Sequence, residues 1–193
     1  MKKVQLEVIG ISSKLKTNPD YNLVLKEVNG NRNVSINLNY FDTQLLYDAF
    51  HNSNNNIYDV IPNLINKTGY ELQEIILEKN EITQTFESSL LCSKIDRMIN
   101  TSSSDNSVDN IELNTNIIDA VLLGIRTGKR IIADDEVLKQ NTYNEDFAND
   151  EILLDDKLEM CSTIFLETML QKAIDTENYE QAAIIRDELN KRS

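Results

Sequence analysis

Three acidic residues stand near the starts of segments with helical periodicity, where they could support metal-assisted hydrolysis. They are Asp42, Asp59 and Asp119. Carboxylates that converge on Mg2+ or Mn2+ let the metal activate a water molecule and neutralise the charge that grows on a phosphate. Gln44 could orient the water or the phosphate, although it could equally be a plain surface residue. The alternative for each acid is capping of the helix and a favourable interaction with its dipole, which alone explain an acid at a helix start.

Three cations close together in the sequence could bind phosphate: Arg126, Lys129 and Arg130. The formal net charge of -13 excludes a global basic field that would attract nucleic acid. The acids cluster after residue 134, so a local basic patch is compatible with this charge, but so are three solvated surface charges. His51 is the only histidine, so one chain cannot build a His-based metal cluster, and we expect no special role for it.

The composition indicates a folded protein with one main domain and a small appendage. The chain has 193 residues, of which 40% are hydrophobic and 26% are charged. Cys92 and Cys161 have no metal-ligand spacing, which favours a reducing compartment and a cytoplasmic location. The first residues lack the apolar core of a signal peptide, and no stretch reaches the roughly 18 apolar residues of a membrane span. We therefore expect no membrane partner.

Hydrophobic periodicity predicts strands and helices in the first half of the chain. Val4, Leu6 and Val8 alternate with polar residues, which indicates a strand. Residues 21–38 predict a β-hairpin that turns at Asn29-Gly30-Asn31. A helix follows from Phe41 to Phe50. A second begins at Ile57 and stops at Lys67-Thr68-Gly69, and Pro62 within it indicates either a kink or a later start.

The second half continues this mixture of strands and helices. We predict strands at 72–77 and 82–91, joined by a turn at Lys79-Asn80, and a polar loop at 100–110. A short strand at Ile111 and Leu113, a helix at 117–125 that ends near Gly128, and a strand at 130–133 come next. Residues 134–155 predict a short helix and an acidic linker.

The last segment has the pattern of two packed helices. One helical face carries Leu166, Leu170, Ala173 and Ile174, and the facing helix carries Tyr179, Ala182, Ala183, Arg186 and Leu189. Two short helices bury little area, so we expect the pair to pack on the main domain, a second copy or a partner. The predicted class is α+β: a mixed, curved β-sheet with packed helices, followed by a C-terminal α-helical hairpin.

The helical hairpin resembles the UVR motif over residues 160–191. The resemblance rests on Glu177-Asn178-Tyr179-Glu180, on Ala182-Ala183 and on Ile185-Arg186-Asp187, together with the leucines before them. It implies a protein partner, or pairing of two hairpins in a homo-oligomer. The residues expected to bind the partner are Leu170, Ala173, Tyr179, Ala182, Ala183 and Arg186. The alternative is a generic hairpin whose alanines only allow the helices to approach closely.

The first 140 residues resemble the bifunctional nuclease family, whose members are described as acting on DNA and RNA. Three stretches carry this resemblance. They are Val4 to Ile11; Ile36 to Leu38 followed by Phe41-Asp42-Thr43-Gln44; and Asp119-Ala120-Val121-Leu122 with Gly128 and Ile131-Ile132. It implies a nuclease that hydrolyses phosphodiester bonds in DNA or RNA, with Mg2+ or Mn2+ held by Asp42, Asp59 and Asp119, and with catalytic roles for these acids and Gln44. Substrate would contact Arg126, Lys129 and Arg130.

The polar signature of that family is only partly present. Where the family has Arg-Pro and then His-Asp, this chain has Asn54-Asn55 and Tyr58-Asp59. Its Arg-Pro-Ser-Asp-Ala is matched by Asn116-Ile117-Ile118-Asp119-Ala120. The loss of a His and of Arg residues removes a general base and phosphate clamps. Two other functions therefore stay open: a catalytically degenerate relative that acts as an interaction or regulatory module, and an adaptor to a protease.

The predicted domain boundaries follow from these segments. A bifunctional-nuclease-like α+β domain spans residues 1–140, an acidic linker spans 141–156, and the UVR-like helical hairpin spans 157–193.

Overall fold

The structure is a computed structural model that describes residues 3–13, 21–51, 57–80, 82–83, 85–95, 109–139 and 158–192. Its strands are β1 (Lys3–Ser13), β2 (Tyr21–Glu27), β3 (Asn33–Leu38), β4 (Tyr70–Lys79), β5 (Phe86–Lys94), β6 (Asn110–Thr115) and β7 (Arg130–Asp134). Its helices are α1 (Tyr40–Phe50), α2 (Ile57–Lys67), α3 (Ile117–Thr127), α4 (Asp135–Lys139), α5 (Thr163–Asp175) and α6 (Tyr179–Lys191). Most of the predicted loop at 100–110 and the whole predicted linker at 141–156 lie outside the described residues.

The chain forms two compact units that do not follow sequence order. The first unit comprises Met1–Gln5 and Asn55–Val137, and the second comprises Leu6–Asn54 and Leu138–Ser193. The N-terminal hairpin and the C-terminal helices thus belong to one unit. The boundaries expected at residues 140 and 156 stay predictions.

The first unit is a layer of strands covered by two helices. Strands β7, β4, β5 and β6 are neighbours in that order; β4 pairs parallel with β7 and antiparallel with β5, and β5 pairs antiparallel with β6. Helix α3 packs on β4, β5 and β7, and helix α2 packs on β4 and α3. The approach of α3 is close, because a Cβ added at Gly124 would lie 2.9 Å from Ile75 Cδ1. This packing places α2 beside α3.

Turn chemistry explains where several elements of this unit begin and end. Helix α2 runs from Ile57 to Lys67 and contains Pro62, so of the two alternatives for Pro62 the later start is not observed. Gly128 follows α3 with φ of 64°, the left-handed backbone that favours glycine at a helix end. The second predicted strand of the 72–91 region begins at Phe86 rather than Ile82. Asn80 Oδ1 accepts hydrogen bonds from the backbone N–H groups of residues 82 and 83, which form a turn and leave Ile82 94% exposed.

The second unit joins the N-terminal hairpin to the C-terminal helices. Strands β1, β2 and β3 pair antiparallel in that order, and α1 packs against β3. Helices α5 and α6 pack on each other, and Leu158, Cys161, Leu166 and Ile185 form their buried core. An antiparallel bridge joins Gly10 of β1 to Cys161. The segment before the helical hairpin therefore pairs with β1 of its own unit.

The observed elements confirm the predicted class. The chain is α+β, with parallel and antiparallel strand pairs, packed helices and a C-terminal helical pair. The predicted β-hairpin at residues 21–38 is also confirmed, because Tyr21 to Lys26 of β2 pair with Leu38 to Asn33 of β3.

Candidate active site

Two of the predicted acids belong to neighbouring helices of the first unit. Asp59 lies in the first turn of α2, and Asp119 lies in the first turn of α3. Asn116 caps α3, since its Oδ1 accepts a hydrogen bond from the Ile118 N–H at 2.8 Å. Asp119 is therefore not the cap, and its carboxylate is available for a contact with α2.

A tyrosine on α2 makes that contact. The Tyr58 hydroxyl donates a hydrogen bond to Asp119 Oδ1 at 2.6 Å. The Tyr58 ring is buried, and Asp119 is half-buried. A hydrogen bond from a hydroxyl to a carboxylate is short and strong when part of its surroundings excludes water. The pair holds the start of α3 against the start of α2.

Arg126, in the last turn of α3, lies close to Asp59 of α2. Arg126 Nη1 lies 3.8 Å from Asp59 Oδ1, and the Arg126 side chain is only 10% exposed whereas Asp59 is open to solvent. Asp119 and Arg126 are seven residues apart, about two turns, so they lie along one side of α3. The α2–α3 cluster therefore consists of Tyr58, Asp59, Asp119 and Arg126.

The cations expected to bind substrate all have acidic neighbours. Besides Arg126, Lys129 Nζ lies 3.1 Å from Glu71 Oε1, and Arg130 Nη2 lies 3.3 Å from Glu74 Oε1. A carboxylate beside a cation offsets its attraction for phosphate, and exposed pairs of this kind contribute little to stability. Substrate binding by these three residues stays a prediction.

The other two predicted catalytic residues belong to the second unit. Asp42 is half-buried in the first turn of α1, and its backbone N–H donates to Asn39 Oδ1 at 2.9 Å. Asn39 is thus the cap of α1. Gln44 is exposed on the same helix.

The expected binding of Mg2+ or Mn2+ by Asp42, Asp59 and Asp119 stays a prediction. Within the described ranges, no group of three or more His, Cys, Asp or Glu side chains is placed to hold a metal ion. Asp119 already accepts from Tyr58, and Asp59 faces Arg126. The cluster offers a carboxylate that a phenol holds and, about two turns further along α3, a guanidinium that can bind an anion.

Tyr58 belongs to this cluster but was not among the functional residues predicted from the sequence. It directly precedes Asp59, at the position where the resembling family has a His, and that position was the available signal. One tyrosine in a helical pattern does not by itself predict a partner 61 residues away in the sequence.

The residues expected to bind a partner differ in how far their side chains are exposed. Ala173 and Ala182 are buried where α5 meets α6, which suits close helix approach. Leu170 and Ala183 are half-buried. Tyr179 is 67% exposed, and Arg186 is also exposed and contacts Asp187. Only these last two offer most of their side chains to a partner.

The helical hairpin contains a buried ion pair, Glu188 with Arg192. Arg192 donates to Glu188 at 2.9 Å and to the backbone oxygens of Cys161 and Leu158, each at 2.7 Å. His51 Nε2 at the end of α1 lies 3.8 Å from Glu188 Oε1. His51 therefore has a position in the second unit that the sequence did not indicate.

The helices that the structure describes are all too short or too polar to cross a membrane.

Comparisons with known families match this architecture in two places. Residues 23–146 match the bifunctional nuclease domain, and residues 163–191 match the UvrB/uvrC motif. No curated protein matches the chain. The nuclease match begins inside β2, so the likeness of Val4 to Ile11 to the first strand of the family stays a prediction. It covers more than half of the chain and includes all four residues of the α2–α3 cluster. The chain belongs to the bifunctional nuclease domain family, and its α5–α6 hairpin is similar to the UvrB/uvrC motif.

Proposed function

We propose that this protein hydrolyses phosphodiester bonds in DNA or RNA, and that the α2–α3 cluster is its active site. The observation that carries the proposal is that α2 and α3 bring Tyr58 and Asp59 against Asp119 and Arg126, inside the segment that matches the nuclease family. Both acids that the chain shares with the family signature belong to this cluster.

The proposed reaction uses the carboxylate of Asp119 as a general base. Asp119 accepts a proton from a water molecule while the water oxygen bonds to phosphorus. The bond from phosphorus to the leaving oxygen breaks, and that oxygen takes a proton from solvent. Asp119 then releases its proton to solvent, so one water is consumed and the carboxylate is regenerated. Arg126 stabilises the charge on the phosphate oxygens. To do so, its guanidinium gives up the contact with Asp59 and contacts the phosphate.

Cleavage of labelled single-stranded RNA and duplex DNA tests this function. We expect Asp119→Asn to lower the rate about 100-fold or more, the usual size of a lost general base. Asp59→Asn should have a smaller effect, because the proposed role of Asp59 is to pair with Arg126 and not to take the proton. Asp109→Asn, which alters an exposed acid of the same unit that contacts Lys94, should cleave like the wild type. A folded wild-type protein that cleaves neither substrate would contradict the proposal.

Metal dependence is a separate proposal that the same assay addresses. Parallel reactions with Mg2+, with Mn2+ and with EDTA would reveal a requirement for a metal. Cleavage that persists in EDTA would assign the chemistry to the protein groups alone.

A second candidate function, a binding or regulatory module, is supported by the pairing of the three cations with carboxylates. Each of the cations Arg126, Lys129 and Arg130 has a carboxylate beside it, an arrangement that favours a binding or regulatory module over a nuclease. We propose that, in either case, the exposed side of the α5–α6 hairpin binds a protein partner or a second copy, and that the protein works in the cytoplasm. Weak cleavage together with capture of a second copy in solution would favour this candidate.

A further inference from the structure

We infer that Tyr58 is a positioning residue for Asp119, a role that rests on the proposed function. The phenol donates to one carboxylate oxygen at 2.6 Å and comes from a different helix than the acid that it holds. Both features indicate a fixed orientation for the carboxylate rather than a mobile surface acid.

The surroundings of Tyr58 support this role. Its ring is buried, whereas three neighbours on α2, Ile57, Val60 and Leu64, are exposed large apolar residues. Tyr58 is the buried residue of this helix. A phenylalanine would fill the same space, so the hydroxyl serves the bond to Asp119 and not the packing.

A held carboxylate helps a general base in a specific way. When one oxygen of Asp119 is engaged by the phenol, rotation of the carboxylate is restricted and the second oxygen keeps one direction. The base therefore meets the attacking water without first losing orientational freedom. Loss of the hydroxyl should slow the chemical step and leave substrate binding unchanged.

The test compares Tyr58→Phe with wild type in the cleavage assay. We expect kcat to fall about tenfold, the effect of one hydrogen bond on a rate, with KM unchanged. Tyr70→Phe makes the same chemical change on a half-buried tyrosine in the same unit and should leave kcat as in the wild type. Thermal unfolding of each variant reports whether the fold is kept.

A double variant separates positioning from packing. In an Asp119→Asn background, Tyr58→Phe should cause no further loss of kcat, because the two residues act as one unit. An additional tenfold loss in that background would overturn the inference, as would full kcat in Tyr58→Phe alone beside an impaired Asp119→Asn. A wild-type protein without cleavage would instead defeat the proposed function, and the positioning role with it.

Discussion

At the residue scale, Glu188 and Arg192 illustrate how a buried ion pair is kept in the folded state. Both side chains are almost fully buried, and Arg192 also donates to two backbone oxygens. Burial raises the pKa of Glu188, but hydrogen bonds and charge from Arg192 and Lys191 outweigh it and hold the pKa below its ordinary value. A buried pair of this kind destabilises the protein when one partner is removed, because the other charge stays buried.

The lowered pKa of Glu188 makes the stability of the folded protein depend on pH. Because the folded pKa is below the unfolded one, this contribution to stability is complete above about pH 4.5 and is lost as the pH falls through the folded pKa. We expect the melting temperature of the wild type to fall more steeply between pH 5 and 3 than that of Glu188→Gln. The variant should be less stable at pH 7 by about 3 kcal/mol, the cost of breaking a buried pair.

The control for this prediction is Glu167→Gln, which changes an exposed acid on α5. It should melt like the wild type at each pH. Parallel pH profiles for the wild type and Glu188→Gln would contradict a role for Glu188 in acid sensitivity.

At the element scale, the feature that joins the helical hairpin to the rest of its unit is a backbone contact with β1. The Ile11 N–H donates to the Met160 oxygen, and the Ser162 N–H donates to the Ile9 oxygen, each at 2.9 Å. The Thr163 hydroxyl donates to the Phe50 oxygen at the end of α1. A short segment before α5 thus pairs with β1, and this pairing determines where the hairpin begins.

Gly10 is the position in β1 that this contact requires to be small. A Cβ at residue 10 would lie 2.5 Å from the Met160 oxygen and 2.9 Å from Cys161 Cα, and both atoms belong to the backbone. We expect Gly10→Ala to lower the free energy of unfolding by about 1–3 kcal/mol, as overpacking does elsewhere. Denaturant titration followed by circular dichroism measures this change.

The matched control for Gly10→Ala is Ser12→Ala, a small change two residues along the same strand at a half-buried position. It should shift the unfolding midpoint much less. Equal midpoints for Gly10→Ala and wild type would mean that the segment before α5 can move away without loss of stability.

At the scale of the whole molecule, each compact unit contains one buried thiol. Cys92 lies on β5 of the first unit, and Cys161 lies in the hairpin core of the second. Burial raises the pKa of both thiols, and that of Cys161 reaches about 11, even though Arg192 beside it acts in the opposite direction. Both thiols are therefore protonated near neutral pH, and each reports on the unit that covers it.

We expect both thiols to react slowly with a disulfide reagent in the native protein at pH 8. At the pKa of Cys161, about one thiol in a thousand is ionised at that pH, and burial slows access further. Unfolding in denaturant should make both react rapidly. The variants Cys92→Ser and Cys161→Ser leave one thiol each, so the labelling rate of each unit can be measured separately. Rapid labelling of either thiol without denaturant would contradict its burial.

The strands and helices of this protein could be predicted from the sequence because they depend on local patterns. Alternation in residues 3–13 and 21–38 and helical spacing in 40–50, 57–67 and 163–191 determine those elements almost alone. The family likeness follows from residue types at fixed spacing. The start of β5 was missed because a side chain, Asn80, turns the chain where hydrophobicity favoured a strand.

The site and the grouping of the units needed the tertiary structure. Tyr58 and Asp119 meet because α2 and α3 pack side by side, and a contact across 61 residues leaves no periodic trace in the sequence. The same holds for Gly10 and Cys161, whose backbones approach only because the C-terminal hairpin packs with β1. Residue types and spacing thus determined the elements and the family, whereas long-range packing decided which acids have partners and which segments form one unit.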